Sequence, residues 1–283
     1  MLLPLLLGLG SGLCWGVADF FGGLQSRRRP SLAVALWSQV GGGLALLLVL
    51  GLVVGPPLEA EGIAWGALAG VFGGSALMLF YRGLAVGMMS IVAPLSACGA
   101  AVPVAISFLL GRAPSPTALA GMAAAMLAVV LVSLPSEPGQ HPAGRPGLAL
   151  LLALGAATGF GLFFVFLDRG SAAGTQPLWV VGGARAGSMA TLGLIALVGR
   201  RSAPWPGTAF GPIALIGITD TTANVLFTYA TVDGNLGVVA VLGSLYPLAT
   251  VALAGVVLGE RLARRQALGV AAALGGVALI ALG

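Results

Sequence analysis

The stretch FGPIALIGITDTTANVLFTYA, residues 210–230, decides the fold class of this chain. About 20 mostly apolar residues in a row allow a helix to cross the hydrocarbon core of a bilayer, and Asp220 stands almost at the centre of this stretch. An ionisable group at that depth costs between about 3 and more than about 10 kcal/mol, so such groups usually face a protein interior or a water-filled cavity and often pair with one another. The stretch therefore predicts a membrane-spanning helix that faces a polar pathway, as a transporter requires.

A second charged residue, Arg185, lies at a similar depth in the apolar run 177–198. Two interpretations are open for Asp220 and Arg185. Either both line a cavity, where they bind a charged solute or couple a proton, or they form a static salt bridge between two helices. Trp37 and Gln39 are also polar-tipped residues in an apolar run, but they have no obvious partner in the sequence.

The composition indicates a membrane protein. Hydrophobic residues make up 58% of the chain, charged residues 7%, and the mean hydropathy is +1.06, whereas a soluble domain is about 45–50% apolar and about 25% charged. All 13 basic residues are arginines, mostly between apolar runs, which orients a membrane protein and does not form a nucleic-acid-binding patch. Cys14 and Cys98 fit neither a disulfide framework nor a metal site. We expect a lipid bilayer around the chain, no nucleic-acid partner, no metal and no cofactor.

Ten apolar runs separated by Pro, Gly and charged clusters predict an all-α integral membrane protein with ten transmembrane helices. The longest polar stretch, residues 135–146, is rich in proline and separates a first half of five spans, residues 1–134, from a second half of five, residues 147–283. Asp233 to Asn235 mark a clear gap between spans 8 and 9. The expected spans are 2–24, 31–54, 62–85, 88–110, 117–134, 147–167, 177–198, 210–231, 236–258 and 262–282.

The two halves resemble each other, which predicts an internal repeat. Trp15-Gly16 in span 1 corresponds to Phe160-Gly161 in span 6, and spans 3–4 align with spans 8–9 at a constant offset. Loops after odd-numbered spans carry ten arginines and the other loops carry two. Because each half has an odd number of spans, equivalent loops lie on opposite sides, as in an inverted-topology repeat. The positive-inside rule then places both termini outside, in a multi-pass protein of the cell (inner) membrane. The residues matched at the constant offset are Tyr81 with Tyr229, Ser96 with Ser244, Leu110 with Leu258 and Gly111 with Gly259.

The chain also resembles a known family. Residues 226–280 resemble the second repeat of EamA-type members of the drug/metabolite transporter (DMT) superfamily, and residues 79–132 resemble the equivalent part of the first repeat. The resemblance implies ten helices in two repeats, a central cavity between them and alternating access, with exporters of amino acids, other metabolites and cationic drugs among the similar proteins. One departure is Gly111-Arg112, where the repeat usually ends in Gly-Glu. The resemblance is carried by Trp15, Gly16, Tyr81, Pro103, Gly111, Tyr229, Ala230, Pro247, Gly259 and Glu260.

Two helical faces supply candidate binding residues. Asp220, Asn224 and Thr228 are four residues apart in the sequence, so they share one face of span 8. They predict a cavity wall, with hydrogen bonding between helices as the alternative. Trp15 and Asp19 have the same spacing on span 1. A cation held by Asp19 over Trp15 is chemically sound; the alternative is that Asp19 reaches the interface or caps a neighbouring helix.

Tyrosines and prolines add further candidates. Tyr81 and Tyr229 match in the repeat, so they either approach the cavity from opposite sides or anchor helices at the membrane interface. Pro94, Pro103 and Pro247 remove backbone hydrogen bonds within spans 4 and 9. They serve either as hinges or only to shape the packing.

These features predict a secondary transporter, specifically an exporter, of a small metabolite (an amino acid or similar) or a drug. We expect alternating access through a central cavity, driven by protons or by the solute gradient. A non-transporting membrane scaffold or sensor is one alternative, and a membrane-embedded lipid-modifying enzyme is another. The enzyme is disfavoured because the single histidine, His141, lies in the linker and the acidic residues are dispersed, so we expect no catalytic residue. A homodimer is left open.

Overall fold

The described elements of the protein are all helical. The computed structural model describes residues 2–26, 28–55, 59–86, 92, 95–111, 113–133, 146–200, 202–258 and 264–282, and within these ranges there is no strand. The predicted all-α class is confirmed. The α-helices are α1 Leu2–Ser26, α2 Ser31–Val49, α3 Glu61–Val86, α4 Ala101–Leu109, α5 Pro116–Ser133, α6 Pro146–Ala172, α7 Pro177–Val198, α8 Phe210–Asp233, α9 Leu236–Gly243, α10 Tyr246–Leu258 and α11 Arg264–Leu282.

The lengths and surfaces of these helices fit a membrane protein. Within the described ranges, six helices are long and apolar enough to cross a bilayer, and four shorter apolar helices fall within other expected spans. Large apolar side chains are exposed on the outer faces, for example Leu13 at 60% and Leu197 at 79%. Extended apolar surface of this kind marks contact with a membrane or a partner. The six long helices are Leu2–Ser26, Ser31–Leu52, Glu61–Gly83, Gly147–Ala172, Pro177–Val198 and Gly207–Asp233.

The helices expected as spans 4 and 9 depart from regular α-helix part-way along, and we call each of these places a break. In span 9, α9 ends at Gly243 and α10 begins at Tyr246. In span 4, a single 3-10 turn, Cys98–Ala100, precedes α4. The hydropathy of both runs is uniform, so hydropathy alone does not reveal a change in backbone geometry.

Prolines lie immediately after both breaks. Pro247 is the second residue of α10 and Pro103 is the third residue of α4. Proline has no N–H to donate and is tolerated in the first turn of a helix, where that donor would have no intrahelical partner. Both residues therefore begin a helical segment instead of kinking a continuous helix. Pro94, the third expected hinge, lies outside the described residues.

The starts of two helices are fixed by side-chain caps. The Asn235 side-chain oxygen accepts hydrogen bonds from two backbone N–H groups at the start of α9, at 3.0 and 3.2 Å. Because α8 ends at Asp233, the gap predicted between spans 8 and 9 is confirmed. Gln176 caps α7 in the same way, accepting from the N–H of Leu178 at 2.8 Å. Of the expected linker, residues 135–145 lie outside the described residues.

The two halves of the sequence are interlocked. The most extensive helix contacts join α3 to α6 and α7, α1 and α2 to α8, and α5 to α11. Each of these pairs has one helix from either half. Small residues permit the close approach: a side chain at Gly70 of α3 would overlap Ala184 of α7, and one at Gly187 of α7 would overlap Ala67 of α3. Close backbone packing through small residues is the usual way for helices to associate in lipid.

Each break is in contact with a glycine from the other half. Gly16 of α1 lies against the carbonyl oxygen of Tyr246, and the Thr250 hydroxyl donates to the Gly16 carbonyl at 3.1 Å. Gly161 of α6 lies against the carbonyl oxygen of Gly99 in the 3-10 turn. A side chain at either glycine would overlap that backbone. Because Trp15 precedes Gly16 and Phe160 precedes Gly161, these two contacts place an aromatic residue next to each break.

Candidate functional site

A cavity lies where the two breaks meet helices α1, α2, α3, α6, α7 and α8. About 750 Å³ of space lies between its walls, part of it open to solvent. Two aspartates, one arginine and five aromatic rings contribute to the wall, so the cavity combines charged groups with apolar surface. The lining residues are Trp15, Asp19, Gln39, Gly73, Gly74, Leu77, Ser96, Ala97, Phe160, Phe163, Phe164, Ala184, Arg185, Ser188, Asp220, Asn224, Ser244 and Tyr246.

Arg185 joins three helices at this cavity. Its Nη1 forms an ion pair with Oδ2 of Asp220 on α8 at 2.6 Å and donates a hydrogen bond to Oε1 of Gln39 on α2 at 2.5 Å. The Arg185 side chain is 4% exposed and the Asp220 side chain is 27% exposed. The arginine is therefore enclosed by protein, while its carboxylate partner still has accessible surface. We call these three residues the Arg185 cluster.

The remaining nitrogens of Arg185 are closed to solvent. Nε and Nη2 are buried, and neither has a hydrogen-bond partner among the described residues. A buried donor without a partner typically costs about 1–3 kcal/mol, and more for a charged group. These two guanidinium nitrogens can therefore still donate hydrogen bonds, but solvent does not reach them.

The aromatic part of the wall is centred on Trp15. Its indole Nε1–H donates to Oδ1 of Asn224 on α8 at 3.2 Å, which fixes the orientation of the ring. The ring centroid lies 5.3 Å from that of Phe164 and 5.6 Å from that of Phe227, and these two phenylalanines stack at 4.7 Å. Such pairs contribute about 0.5–1.5 kcal/mol each beyond their buried area. Trp15 thus has a fixed position beside the cavity.

Asp19 lies one helical turn after Trp15 on α1 and also lines the cavity. It retains accessible surface, and its carboxylate makes no hydrogen bond or ion pair with another described residue. Asp220, Tyr81 and Tyr246 lie within electrostatic range of it. Because Arg185 pairs with Asp220, Asp19 is the carboxyl group of the described wall that has no basic partner.

Comparison with known proteins identifies the family of this chain. A model of the EamA-like transporter family matches residues 2–134 and again residues 147–282. The chain belongs to the EamA-like transporter family. As an all-helical member of a transporter family with several long apolar helices, it is a multi-pass membrane protein.

A solved structure shares the fold of this EamA-like protein. It is a crystal structure of a protein that is 19% identical, with a TM-score of 0.80 over 99% of this chain and 98% of that chain. At this identity the likeness concerns the fold alone. No curated protein sequence matches this chain.

Five of the residues proposed from the sequence meet at the cavity of this EamA-like protein: Trp15, Asp19, Arg185, Asp220 and Asn224. Thr228 continues the same face of α8, but it does not line the cavity. It is fully buried, and its hydroxyl donates to the Asn224 carbonyl within α8 at 2.7 Å.

Neither tyrosine is among the lining residues of the cavity, and their approach to it from opposite sides stays a prediction. Tyr81 is buried, with its hydroxyl beside Gly22 of α1. Tyr229 is 38% exposed, and its hydroxyl accepts a hydrogen bond from Nε2 of Gln176 at 3.0 Å. Successive residues of an α-helix are about 100° apart. Because Thr228 points into the protein, its neighbour Tyr229 points outward.

Sequence reasoning missed the partner of Gln39 and most of the aromatic wall, although one signal was available. Lining residues occur in pairs separated by 145 to 148 positions, and both members of each pair reach the cavity. An alignment of the two halves whose offset falls from 148 near Ser96 to 145 near Trp15 would have found these pairs. The pairs are Trp15 with Phe160, Asp19 with Phe164, Gln39 with Arg185, Gly73 with Asp220, Leu77 with Asn224 and Ser96 with Ser244.

Proposed function

We propose that this protein is a secondary transporter that exports a small metabolite (an amino acid or similar) or a drug by alternating access. The observation that carries the proposal is the cavity itself, in which charged and aromatic side chains surround accessible space within an EamA-like transporter chain. A scaffold needs no such cavity, and a sensor would bind a solute in it without giving saturable flux. A lipid-modifying enzyme would need clustered catalytic groups, whereas the described wall offers groups suited to binding, which supports a transporter over an enzyme.

The proposed architecture is an inverted repeat. Residues 1–134 form one repeat, residues 147–283 form the other, and residues 135–146 link them. Two observations support it: lining residues pair at a nearly constant offset, and each break packs against a glycine of the other half. Transporters of this type commonly place their binding site at the repeat interface, next to interrupted helices. The arginine distribution places the odd-numbered loops in the cytoplasm and both termini outside the cell (inner) membrane.

The proposed movement is a change of backbone angle at the breaks, which opens the cavity first to one side of the membrane and then to the other. The segment before Pro247 and the 3-10 turn before Pro103 depart from regular α-helical hydrogen bonding, so they are the places where we expect the backbone to bend most easily. Pro94 lies outside the described residues, and we propose it as a further hinge from its place in the sequence alone. The driving force is a proton gradient or the gradient of the solute, with Asp19 and Asp220 as the groups able to carry a proton through the cavity.

Flux in proteoliposomes tests this function. The full-length protein in detergent is first screened by thermal shift against amino acids, nucleosides, vitamins and cationic drugs, because a ligand at about 100 times its Kd stabilises the fold by roughly 2.7 kcal/mol. Compounds that stabilise it are then tested for saturable flux. We expect saturable flux that is lost in Asp220→Asn and kept in Asp233→Asn, the control at the exposed end of the same helix.

Two results would contradict the proposal. A folded protein that gives no saturable flux for any stabilising compound would favour the scaffold or sensor. Unchanged pH dependence of flux in Asp220→Asn would leave the transporter standing but remove Asp220 from proton coupling.

A further inference from the structure

We propose that Asp19 is the residue that binds the positive charge of the solute, whereas Arg185 is held in an ion pair that positions helices and does not bind the solute. The class of solute that follows is an organic cation that joins a protonated amine to a flat apolar group. This inference rests on the proposed transport function and assigns a specificity-determining residue to it.

The first step is the difference in accessibility between Arg185 and Asp19. Nη1 of Arg185 already serves Asp220 and Gln39, and its other two nitrogens are closed to solvent. A solute carboxylate in the cavity therefore finds no solvent-accessible donor on this guanidinium. Asp19, in contrast, lines the same cavity with accessible surface and without a partner among the described residues.

The second step is the charge around Asp19. Among the described residues, Asp220 on α8, Tyr81 on α3 and Tyr246 at the start of α10 lie within electrostatic range of Asp19. Neither tyrosine supplies a positive charge, and Asp220 is itself negative. The single arginine of the described wall is occupied by Asp220. A carboxylate in this position is best compensated by a cation that enters the cavity.

The third step is the aromatic surface next to the carboxylate. Trp15 precedes Asp19 by one helical turn, and its ring packs on Phe164. A cation near Asp19 therefore also lies near aromatic faces, which attract positive charge through their quadrupoles. Phe160 and Phe163 extend this surface along the wall. A ring attached to the amine would pack against it.

The test uses four probes with one phenyl ring and different charges: phenethylamine (cation), phenylalanine (zwitterion), hydrocinnamate (anion) and hydrocinnamyl alcohol (neutral). Their Kd values are measured by calorimetry with the full-length protein in detergent. We expect wild type to bind phenethylamine at least about tenfold more tightly than the alcohol, and hydrocinnamate least tightly. A tenfold difference corresponds to about 1.4 kcal/mol, which is modest for a carboxylate–ammonium contact.

Four variants separate charge recognition from structure. Asp19→Asn should lose the preference for the amine over the alcohol, and Asp19→Glu should restore it. The double variant Arg185→Gln with Asp220→Asn removes both charges of the cluster and keeps the net charge of the wall. It should melt at a lower temperature but keep the amine preference within about threefold. Asp233→Asn, an exposed site at the end of α8, should match wild type in both measurements.

Three outcomes would overturn the assignment: an unchanged amine preference in Asp19→Asn, its loss in the folded double variant, or binding of none of the four probes to wild type. Failure of the transport proposal is recognised separately, in liposomes. Saturable flux of an unrelated solute together with any of these three outcomes would refute the role of Asp19 and leave the transporter standing.

Discussion

Neutralising one member of the Arg185–Asp220 pair should cost more stability than neutralising both. In Asp220→Asn the arginine stays almost fully buried, keeps its bond to Gln39 and loses its counter-charge. Breaking a buried pair costs roughly 3–5 kcal/mol. Since the Asp220 side chain is 27% exposed, we take the lower end, about 3 kcal/mol. For a chain of this size each kcal/mol corresponds to roughly 2–4 °C, so the melting temperature should fall by about 6–12 °C.

The double variant Arg185→Gln with Asp220→Asn provides the comparison. With no charge left to desolvate, and with amides that still form hydrogen bonds, it should melt above Asp220→Asn and above Arg185→Gln alone. The assay is thermal unfolding of all four proteins in one detergent, followed by size exclusion. The reasoning fails if Asp220→Asn melts within about 2 °C of wild type, or if the double variant loses as much as the two single variants combined.

Four further predictions concern packing and single hydrogen bonds. Trp15→Phe keeps a ring but loses the indole N–H bond, so it should cost about 1 kcal/mol and weaken solute binding, as measured by melting and calorimetry. Gly16→Ala pushes a methyl into the backbone of α10 and should cost about 1–3 kcal/mol and most of the flux in liposomes. Gly275→Ala, where a Cβ meets no atom within 4 Å, should melt at or above the wild-type temperature. Tyr229→Phe loses one exposed hydrogen bond and should change the melting temperature by less than about 2 °C, with flux unchanged; a marked loss of flux would show that the tyrosine acts in transport despite its position.

The charged residues of the site could be predicted from the sequence because charged residues are rare within membrane-spanning runs. Asp220, Arg185 and Asp19 interrupt apolar runs, and an interruption of this kind is visible without a structure. The spacing of Trp15 and Asp19, and of Asp220 and Asn224, placed each pair on one helical face, and both faces reach the cavity. The contact between Gln39 and Arg185 was harder to predict, because the two residues are 146 positions apart in the sequence and no local pattern connects them.

The sequence predicted other features less well because its signals do not encode helix rotation or backbone geometry. The repeat match grouped Tyr229 with Tyr81, but a match in register does not fix which way a side chain points. The breaks before Pro103 and Pro247 lie in runs of small apolar residues, so the hydropathy profile shows no change at either break. The positions of the prolines did indicate a change in backbone geometry, although a proline inside an apolar run is equally compatible with a kinked continuous helix.

The interlocking of the two sequence halves has a consequence for biosynthesis. Because α1, α2 and α3 pack mainly on helices of the second half, the first half enters the bilayer before its principal partners are made. Until α7 and α8 are inserted, Gln39 lacks Arg185, Trp15 lacks Asn224, and the cavity that Asp19 lines is incomplete. A polar group exposed to lipid without its partner costs a few kcal/mol of free energy. The chain therefore behaves as one folding unit that is completed from its C-terminal side, although its sequence is divided in two.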